Sequence, residues 1–432
     1  MAPIPQPAPV AGDTDWFVRD RFGLFIHWGL YAAAARHEWV MHNEEIPPDQ
    51  YEKYFRVFNP DLFDPHEWAG LARAAGMKYF VITTKHHEGF CLWDSAETDY
   101  KAPNTPCGRD LLRETVDAFR EEGLKVGFYH SLIDWHHPEF PIDPLHPLRN
   151  HPDAIAMNAK RDIAKYRRYL HSQVRELLTR FGKIDIMWFD FSYPQAEAKG
   201  LKGKGRDDWG SEDLLRMVRE LQPGVIVDNR LDLPAKMADI HTPEQYQPVE
   251  WPRVDGKPVY WETCQTFSGS WGYHRDEATW KSPEQLIQML VNSVALGGNL
   301  LMNVGPTARG QFDPRATRAL DVYGRWMAQH SRAIYGCTQS AFTAPADSRY
   351  TQNGDRLYLH LFAWPFRHVH LQGLRGRIAY AQLLHDASEV RVVEPEPHQN
   401  MGFPDAPDTA LLELPVQKPD VVVPVVELFL KS

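Results

Sequence analysis

Short apolar runs recur along the chain at residues 22–27, 79–84, 125–130, 184–190, 225–230, 259–262 and 299–304. Between them, apolar residues at helical spacing predict helices over 64–75, 109–122, 155–181, 211–221, 282–295 and 315–333. The triplet Ser282-Pro283-Glu284 carries its own start signal, because Ser caps a helix and Pro suits the first helical position. Strands that read as nearly continuous apolar runs are buried on both faces, and their alternation with helices gives βαβ units and a parallel sheet. The pattern predicts an α/β fold: a (β/α)8-like, TIM-type barrel over residues 10–337, irregular because only seven strands are legible. After Gly336 the pattern changes. Short alternating runs at 356–364, 368–374, 377–384 and 421–430, with Gly and Pro between them, predict a small antiparallel β-sandwich over 338–432.

Composition narrows what this fold does. Apolar residues are 43% and charged residues 24% of 432, enough for a sizeable core. The formal charge of −10 argues against a nucleic-acid partner, which requires a basic surface. No apolar run reaches the roughly 18 residues of a membrane span, and the N-terminus has neither a basic n-region nor an apolar h-region. The expectation is a protein with no membrane partner, cytoplasmic, or secreted or periplasmic if a leader has been removed. Cys91, Cys107, Cys264 and Cys337 lie far apart without a CxxC pair, so neither a disulfide framework nor a zinc site is implied. The unusual feature is 12% aromatic residues, with 14 Trp and 20 His.

The placement of that excess carries the chemistry. The apolar runs end in His27-Trp28, His86-His87-Glu88, Tyr129-His130, Trp188 and Asp190, Asn229-Arg230, Trp261-Glu262 and Asn303. In a barrel the C-terminal strand ends converge on one face, where the active site is built. A catalytic metal is disfavoured: the first strand offers one His rather than an HxH pair, and the adjacent His86 and His87 tend to face opposite ways on a strand. No metal or cofactor is expected. A wall of His, Trp and Arg around two carboxylates suits glycoside hydrolysis, which needs a nucleophile or base and an acid. Asp190 ends the most apolar strand and is the first carboxylate. Glu244, in the loop after Arg230, and Glu262, read as closing the next strand, are the candidates for the second, and position alone does not separate them. Two other functions fit the same residues, a metal-dependent barrel hydrolase and a non-catalytic carbohydrate-binding protein.

These motifs resemble glycoside hydrolase family 29, the retaining α-L-fucosidases, over nearly the whole chain. The resemblance is carried by FGLFIHWG at 22–29, Glu38-Trp39, TKHHEGF at 84–90, FYHS at 128–131, Trp188-Phe189-Asp190, Thr242-Pro243-Glu244-Gln245, the segment 261–264, Trp271-Gly272-Tyr273 and GNLLMNVGP at 298–306. It implies Asp190 as nucleophile and Glu244 as acid/base, with Glu262 in reserve. It implies sugar binding by His27, His86, His87, Tyr129 and Arg230, beside Trp188; the placement at strand ends and in the loops after them adds His130 and Trp271 as sugar-binding candidates, with Glu38 and Trp39 at the pocket rim. The expected ligand is a fucosylated oligosaccharide or glycoconjugate, and a homo-oligomer is compatible with the sequence. Helical tryptophans (Trp16, Trp68, Trp280, Trp326) are expected to pack, and the C-terminal sandwich to stabilise the barrel.

Overall fold

The computed structural model describes residues 6–394, 398 and 408–431. Strands β1 (Phe22–Ile26), β2 (Tyr79–Lys85), β3 (Lys125–Ser131), β4 (Ile186–Asp190), β5 (Ile226–Val227), β6 (Glu262–Thr266) and β7 (Asn299–Val304) form one parallel sheet in the order β6-β7-β1-β2-β3-β4-β5. The unread eighth stave is the irregular segment 239–245, which fills the gap between β5 and β6. The N–H groups of Asp239 and Ile240 donate to Val227 O, at 2.9 and 3.4 Å. On the other side Glu262 N–H donates to His241 O at 3.0 Å, Cys264 N–H to Pro243 O at 3.2 Å, and Gln245 N–H to Cys264 O at 3.1 Å. The sheet therefore closes into a barrel of seven strands and one unlaced stave.

Alternation along the strands sorts side chains between two cores. Phe25, Tyr79, Val81, Tyr129, Ile186, Trp188, Cys264 and Leu301 fill the barrel interior. Their sequence neighbours Leu24, Phe80, Phe128, Met187 and Leu300 face the helices outside. Gly23 is one place where only glycine fits, since a Cβ there would lie 2.4 Å from the Tyr79 ring inside the barrel.

The outer helices are α1 (Pro65–Ala74), α2 (Leu111–Glu121), α3 (Ile163–Arg180), α4 (Ser211–Leu221), α5 (Pro283–Ala295) and α6 (Pro314–His330). Ser282 caps α5 as its sequence signals: Gln285 N–H donates to Ser282 Oγ while Ser282 N–H donates back to the Gln285 side chain. The helix expected over 155–181 is two, Ala154–Asn158 and Ile163–Arg180, because Asp162 caps a new start by accepting from Ala164 N–H. Periodicity alone bridges such a break.

Among the described residues eight further strands follow α6: β8 (Thr338–Gln339), β9 (Ser348–Asn353), β10 (Arg356–Leu361), β11 (His368–Leu371), β12 (Ile378–Leu383), β13 (Arg391–Val393), β14 (Ala410–Glu413) and β15 (Val425–Leu430). They make an antiparallel five-stranded sheet, β8-β9-β10-β15-β12, and a three-stranded one, β11-β14-β13. Leu357, Leu359, Leu371, Leu412, Val426 and Leu428 form the core between them. The Trp326 indole N–H donates to Val423 O at 3.2 Å, and Arg332 pairs with Glu427 at 2.9 Å, tying this unit to the last barrel helix.

Candidate active site

The C-terminal strand ends open onto a cavity of about 770 Å³ lined by Asp190, Arg230, Glu244, Glu38, Trp39 and Trp271 among others. Asp190 is the last residue of β4 and shares the inward face of Ile186 and Trp188. The Tyr129 hydroxyl donates to its Oδ2 at 2.6 Å, and Arg230 Nη1 donates to its Oδ1 at 2.8 Å. The same Nη1 donates to Glu244 Oε2 at 2.7 Å. Two oxygens that lie 2.8 and 2.7 Å from one nitrogen are at most 5.5 Å apart. Retaining glycosidases hold their carboxyl groups about 5–5.5 Å apart, whereas inverting ones leave roughly 6.5–9.5 Å for a water.

The irregular stave sets this arrangement. Arg230 Nε donates to Thr242 Oγ1 at 3.0 Å and its Nη2 to Thr242 O at 3.1 Å, while Thr242 in turn donates through N–H and hydroxyl to Asn229 Oδ1. Thr242 thus locks Arg230 to the segment that carries Glu244 two residues later. From below, the Arg230 guanidinium lies over the Trp188 ring, 4.4 Å from its centroid.

Burial and charge oppose each other here. Burial raises the pKa of Asp190 above the usual carboxylate range, while Arg230, and to a lesser degree the Tyr129 hydroxyl, favour its ionised form. Burial works against the Arg230 cation, but Asp190 and, further down, Glu244 hold its pKa above the ordinary value. The result is a nucleophile candidate kept dry and charge-compensated.

The expected histidines pack behind the lining without lining the cavity themselves: His27 against Trp271, His86 against Tyr129 and His87 against Trp39. Burial lowers the pKa of His27 to about 3 and those of His86 and His87 well below the usual value, so all three are neutral at neutral pH. Ser131 donates its hydroxyl to Ile133 O, so its contact with His87 Nδ1 at 2.7 Å makes that nitrogen the donor. Likewise Asn303 uses its amide N–H on Trp271 O, so its Oδ1 accepts from His27 Nδ1 at 2.7 Å. Both rings are left with Nε2 as an acceptor for a hydroxyl, and His87 Nε2 lies 3.9 Å from Asp190 Oδ2. His86 stacks on Tyr129, and its Nδ1 has no hydrogen-bond partner among the described residues. Gly89, at φ +81°, turns the chain after this His pair; a Cβ there would meet Asp134 Oδ1 at 2.2 Å.

Glu38 is buried under the rim. Its Oε2 accepts from Gly272 N–H at 2.9 Å, Trp271 N–H at 3.1 Å and the Ser270 hydroxyl at 3.3 Å, so it staples the loop that presents Trp271. Trp39 packs on His87 and Phe191, with ring centroids 5.1 Å from each.

Two expected site residues lie elsewhere. His130 is fully buried on the outer face of β3, because it alternates with the inward Tyr129; its ring nitrogen Nδ1 contacts Thr84 Oγ1 at 2.9 Å and does not reach the cavity. Glu262 opens β6 instead of closing a strand, since the ladder begins at Glu262↔Asn299. The run 259–262 is the connection into that strand; the strand itself, Glu-Thr-Cys-Gln-Thr, is too polar to read as an apolar run. Glu262 therefore lies at the barrel floor, accepting from Tyr79 OH at 2.8 Å and the Trp188 indole N–H at 3.2 Å. Trp188 is one layer below the cavity and touches the site through Arg230.

The cavity also takes residues that sequence reasoning passed over: His37, Asn43, Phe191, Ser192, Asp232, Gln245, Ser268 and Gly269. Adjacency to Asp190, Arg230 and Glu244 is the signal that could have found Phe191, Asp232 and Gln245. Among the described residues no group of three or more His, Cys, Asp or Glu is placed to hold a metal ion, and no helix is long and apolar enough to cross a membrane.

Comparison with known proteins follows this geometry. The family model described as Alpha-L-fucosidase matches residues 10–332. Tissue alpha-L-fucosidase of Bos taurus is 30% identical over 377 residues, covering 81% of this chain and 75% of that protein. The structure of alpha-L-fucosidase isoenzyme 1 from Paenibacillus thiaminolyticus superposes with a TM-score of 0.90 at 46% identity, covering 97% of this chain and 99% of that one. A GH29 alpha-L-fucosidase from Bacteroides thetaiotaomicron, trapped as a covalent intermediate with 2-fluoro-fucosyl fluoride, superposes with a TM-score of 0.83 at 29% identity, covering 99% and 98% of the two chains.

Proposed function

The chain belongs to the alpha-L-fucosidase family, and from that membership we propose a division of labour among its own residues. The activity is retaining hydrolysis of terminal α-L-fucosyl residues from fucosylated glycans by double displacement. Asp190 is the nucleophile: it attacks the anomeric carbon while Glu244 gives its proton to the departing glycosidic oxygen. In the second step Glu244 takes a proton from water, which displaces Asp190 from the same carbon, and two inversions give net retention. The observation that carries this reading is the single Arg230 nitrogen bonded to both carboxylates, which brings their oxygens within 5.5 Å. Arg230 and Tyr129 hold the nucleophile, and the Nε2 acceptors of His27 and His87 take sugar hydroxyls. Trp39, Phe191 and Trp271 give apolar faces for the C5 methyl that distinguishes fucose from galactose.

Incubation with 2-fluoro-fucosyl fluoride followed by peptide mass spectrometry tests the assignment. The label is expected on the peptide containing Asp190, and a label on Asp228 or Glu262 instead would overturn it. A reducing compartment remains our proposal for its location, supported by four unpaired cysteines.

A further inference from the structure

The cavity is larger than one pyranose ring requires, and its outer half is built with care. At about 770 Å³ it lies within the roughly 300–1,000 Å³ of ligand pockets. Four of its lining residues hold left-handed backbones without being glycine: His37 at φ 88°, Phe191 at 77°, Asp232 at 57° and Gln245 at 51°. Such backbones favour glycine, so side chains are kept there against a conformational cost, a pattern that clusters at ligand sites. Phe191 and Gln245 directly follow the two carboxylates, and Asp232 follows Arg230 by two. These three and Asn43 belong to the ring of residues that lines the cavity with Asp190, Arg230 and Glu244.

The charge of that ring is one-sided. Four carboxyl groups, Asp190, Glu244, Asp232 and Glu38, line the cavity against one guanidinium. Arg230 Nη1 is spent on Asp190 and Glu244, and its Nε and Nη2 donate to Thr242. Lys281 is turned away, donating to the carbonyls of Thr266 and Ser268 behind the wall. Arg206 gives Asp232 only its backbone N–H, at 3.0 Å, while its guanidinium lies toward Asp207 at 3.9 Å. Asp232 Oδ1 has no hydrogen-bond partner among the described residues and remains available to a hydroxyl donor.

Resting on the Asp190–Glu244 reading, we propose that Asp232, Asn43 and Gln245 form a second subsite for an uncharged, hydroxyl-rich sugar next to the fucosyl residue. The same subsite disfavours a neighbour bearing sulfate or carboxylate. An anionic group there finds four carboxyl groups and no uncommitted cation, whereas a neutral sugar donates hydroxyls to Asp232 and to the amides of Asn43 and Gln245.

The test compares a fucosyl-galactose disaccharide with the same disaccharide sulfated on the galactose primary hydroxyl, with 4-nitrophenyl α-L-fucoside in parallel. The neutral disaccharide is expected to have about tenfold higher kcat/KM at low salt, with the gap shrinking as salt screens the charge. A bulk effect would not respond to salt. Asp232→Asn, which tolerates the left-handed backbone and keeps an acceptor for Arg206, is expected to narrow the gap at least threefold, and Asp232→Lys to reverse it. Equal cleavage of both disaccharides, or a ratio unmoved by either substitution, overturns the second subsite while aryl-fucoside turnover stands. Absence of aryl-fucoside turnover in the unaltered enzyme would overturn the Asp190–Glu244 reading itself.

Discussion

The barrel holds a glutamate at its mouth and another at its floor, and Trp188 lies between them. Glu262 at the floor is fully buried, bonded to Tyr79 and Trp188, and burial pushes its pKa up to about 7. A carboxylic acid with that pKa in an aromatic setting is what a search for perturbed groups selects first. Yet it is not among the residues that line the cavity at the mouth. Glu244 at the mouth has a side chain 41% exposed, lines the cavity and shares Arg230 with Asp190. A perturbed pKa reports burial; access to substrate and a partner carboxylate at the right separation report chemistry.

The largest effect expected is at the mouth. Asp190→Gly removes the nucleophile, and turnover of 4-nitrophenyl α-L-fucoside should fall by roughly 10⁴-fold or more, since the covalent route closes. Azide should restore part of it with a β-fucosyl azide product, read by NMR; full activity without azide would end the assignment. Next, Glu244→Ala should cost about 10²–10³-fold on a disaccharide whose leaving group needs protonation, and far less on an aryl fucoside. Azide rescue of that variant should give the α-fucosyl azide. Glu262→Gln, by contrast, should stay within a fewfold of the parent on both substrates. If the two glutamates exchange these behaviours in steady-state assays, mouth and floor have been misassigned.

The sequence makes the mouth more legible than the floor, for physical reasons. Asp190 is exposed to inference by its strand, an apolar run that ends in a charge. Glu244 is not, because its stave has two prolines nearby and pairs through scattered bonds, so neither alternation nor apolarity marks it as part of the barrel. The family resemblance selects it where position could not. The placement of Glu262 is hidden because a polar strand looks like a loop, and the apolar residues before it look like the strand. The outward direction of His130 is hidden because neighbouring residues on a strand point to opposite faces and the letters do not say which of Tyr129 and His130 faces in. The left-handed rim residues leave no mark in composition or periodicity, because none of the four is the glycine that would signal such a backbone.

The floor carries its own signature in stability. Burial gives Glu262 a pKa of about 7 in the fold against the ordinary 4.5 of a glutamate, so the folded state binds its proton more tightly than the unfolded chain does. Its contribution is complete below pH 4.5 and is lost as pH rises through 7, where ionisation in the fold costs up to about 3 kcal/mol. Glu262→Gln keeps acceptor and shape without the ionisation. Urea denaturation at pH 5 and pH 8 should therefore show the variant gaining on the parent by one to three kcal/mol, as an order of magnitude, at the higher pH. Glu88, whose pKa burial raises to about 8, adds a loss of the same sign in both proteins and cancels in the difference. No pH dependence in that difference would mean the floor is wetter than its burial implies.

The smallest effect belongs to the residue shared by both regions. The Trp188 indole N–H donates down to Glu262 while its ring lies under Arg230. Trp188→Phe keeps an aromatic face for the guanidinium and deletes the donor to the floor. It should cost about 1 kcal/mol of stability, the size of one hydrogen bond, with kcat within about threefold because Asp190, Glu244 and Thr242 still hold Arg230. Combined with Glu262→Ala, which removes the acceptor, the two stability losses should be less than additive, since they remove the same bond from opposite ends. A kcat loss much larger than the stability loss would show that Arg230 depends on Trp188 more than on Thr242. The mouth would then be built on the floor and not beside it.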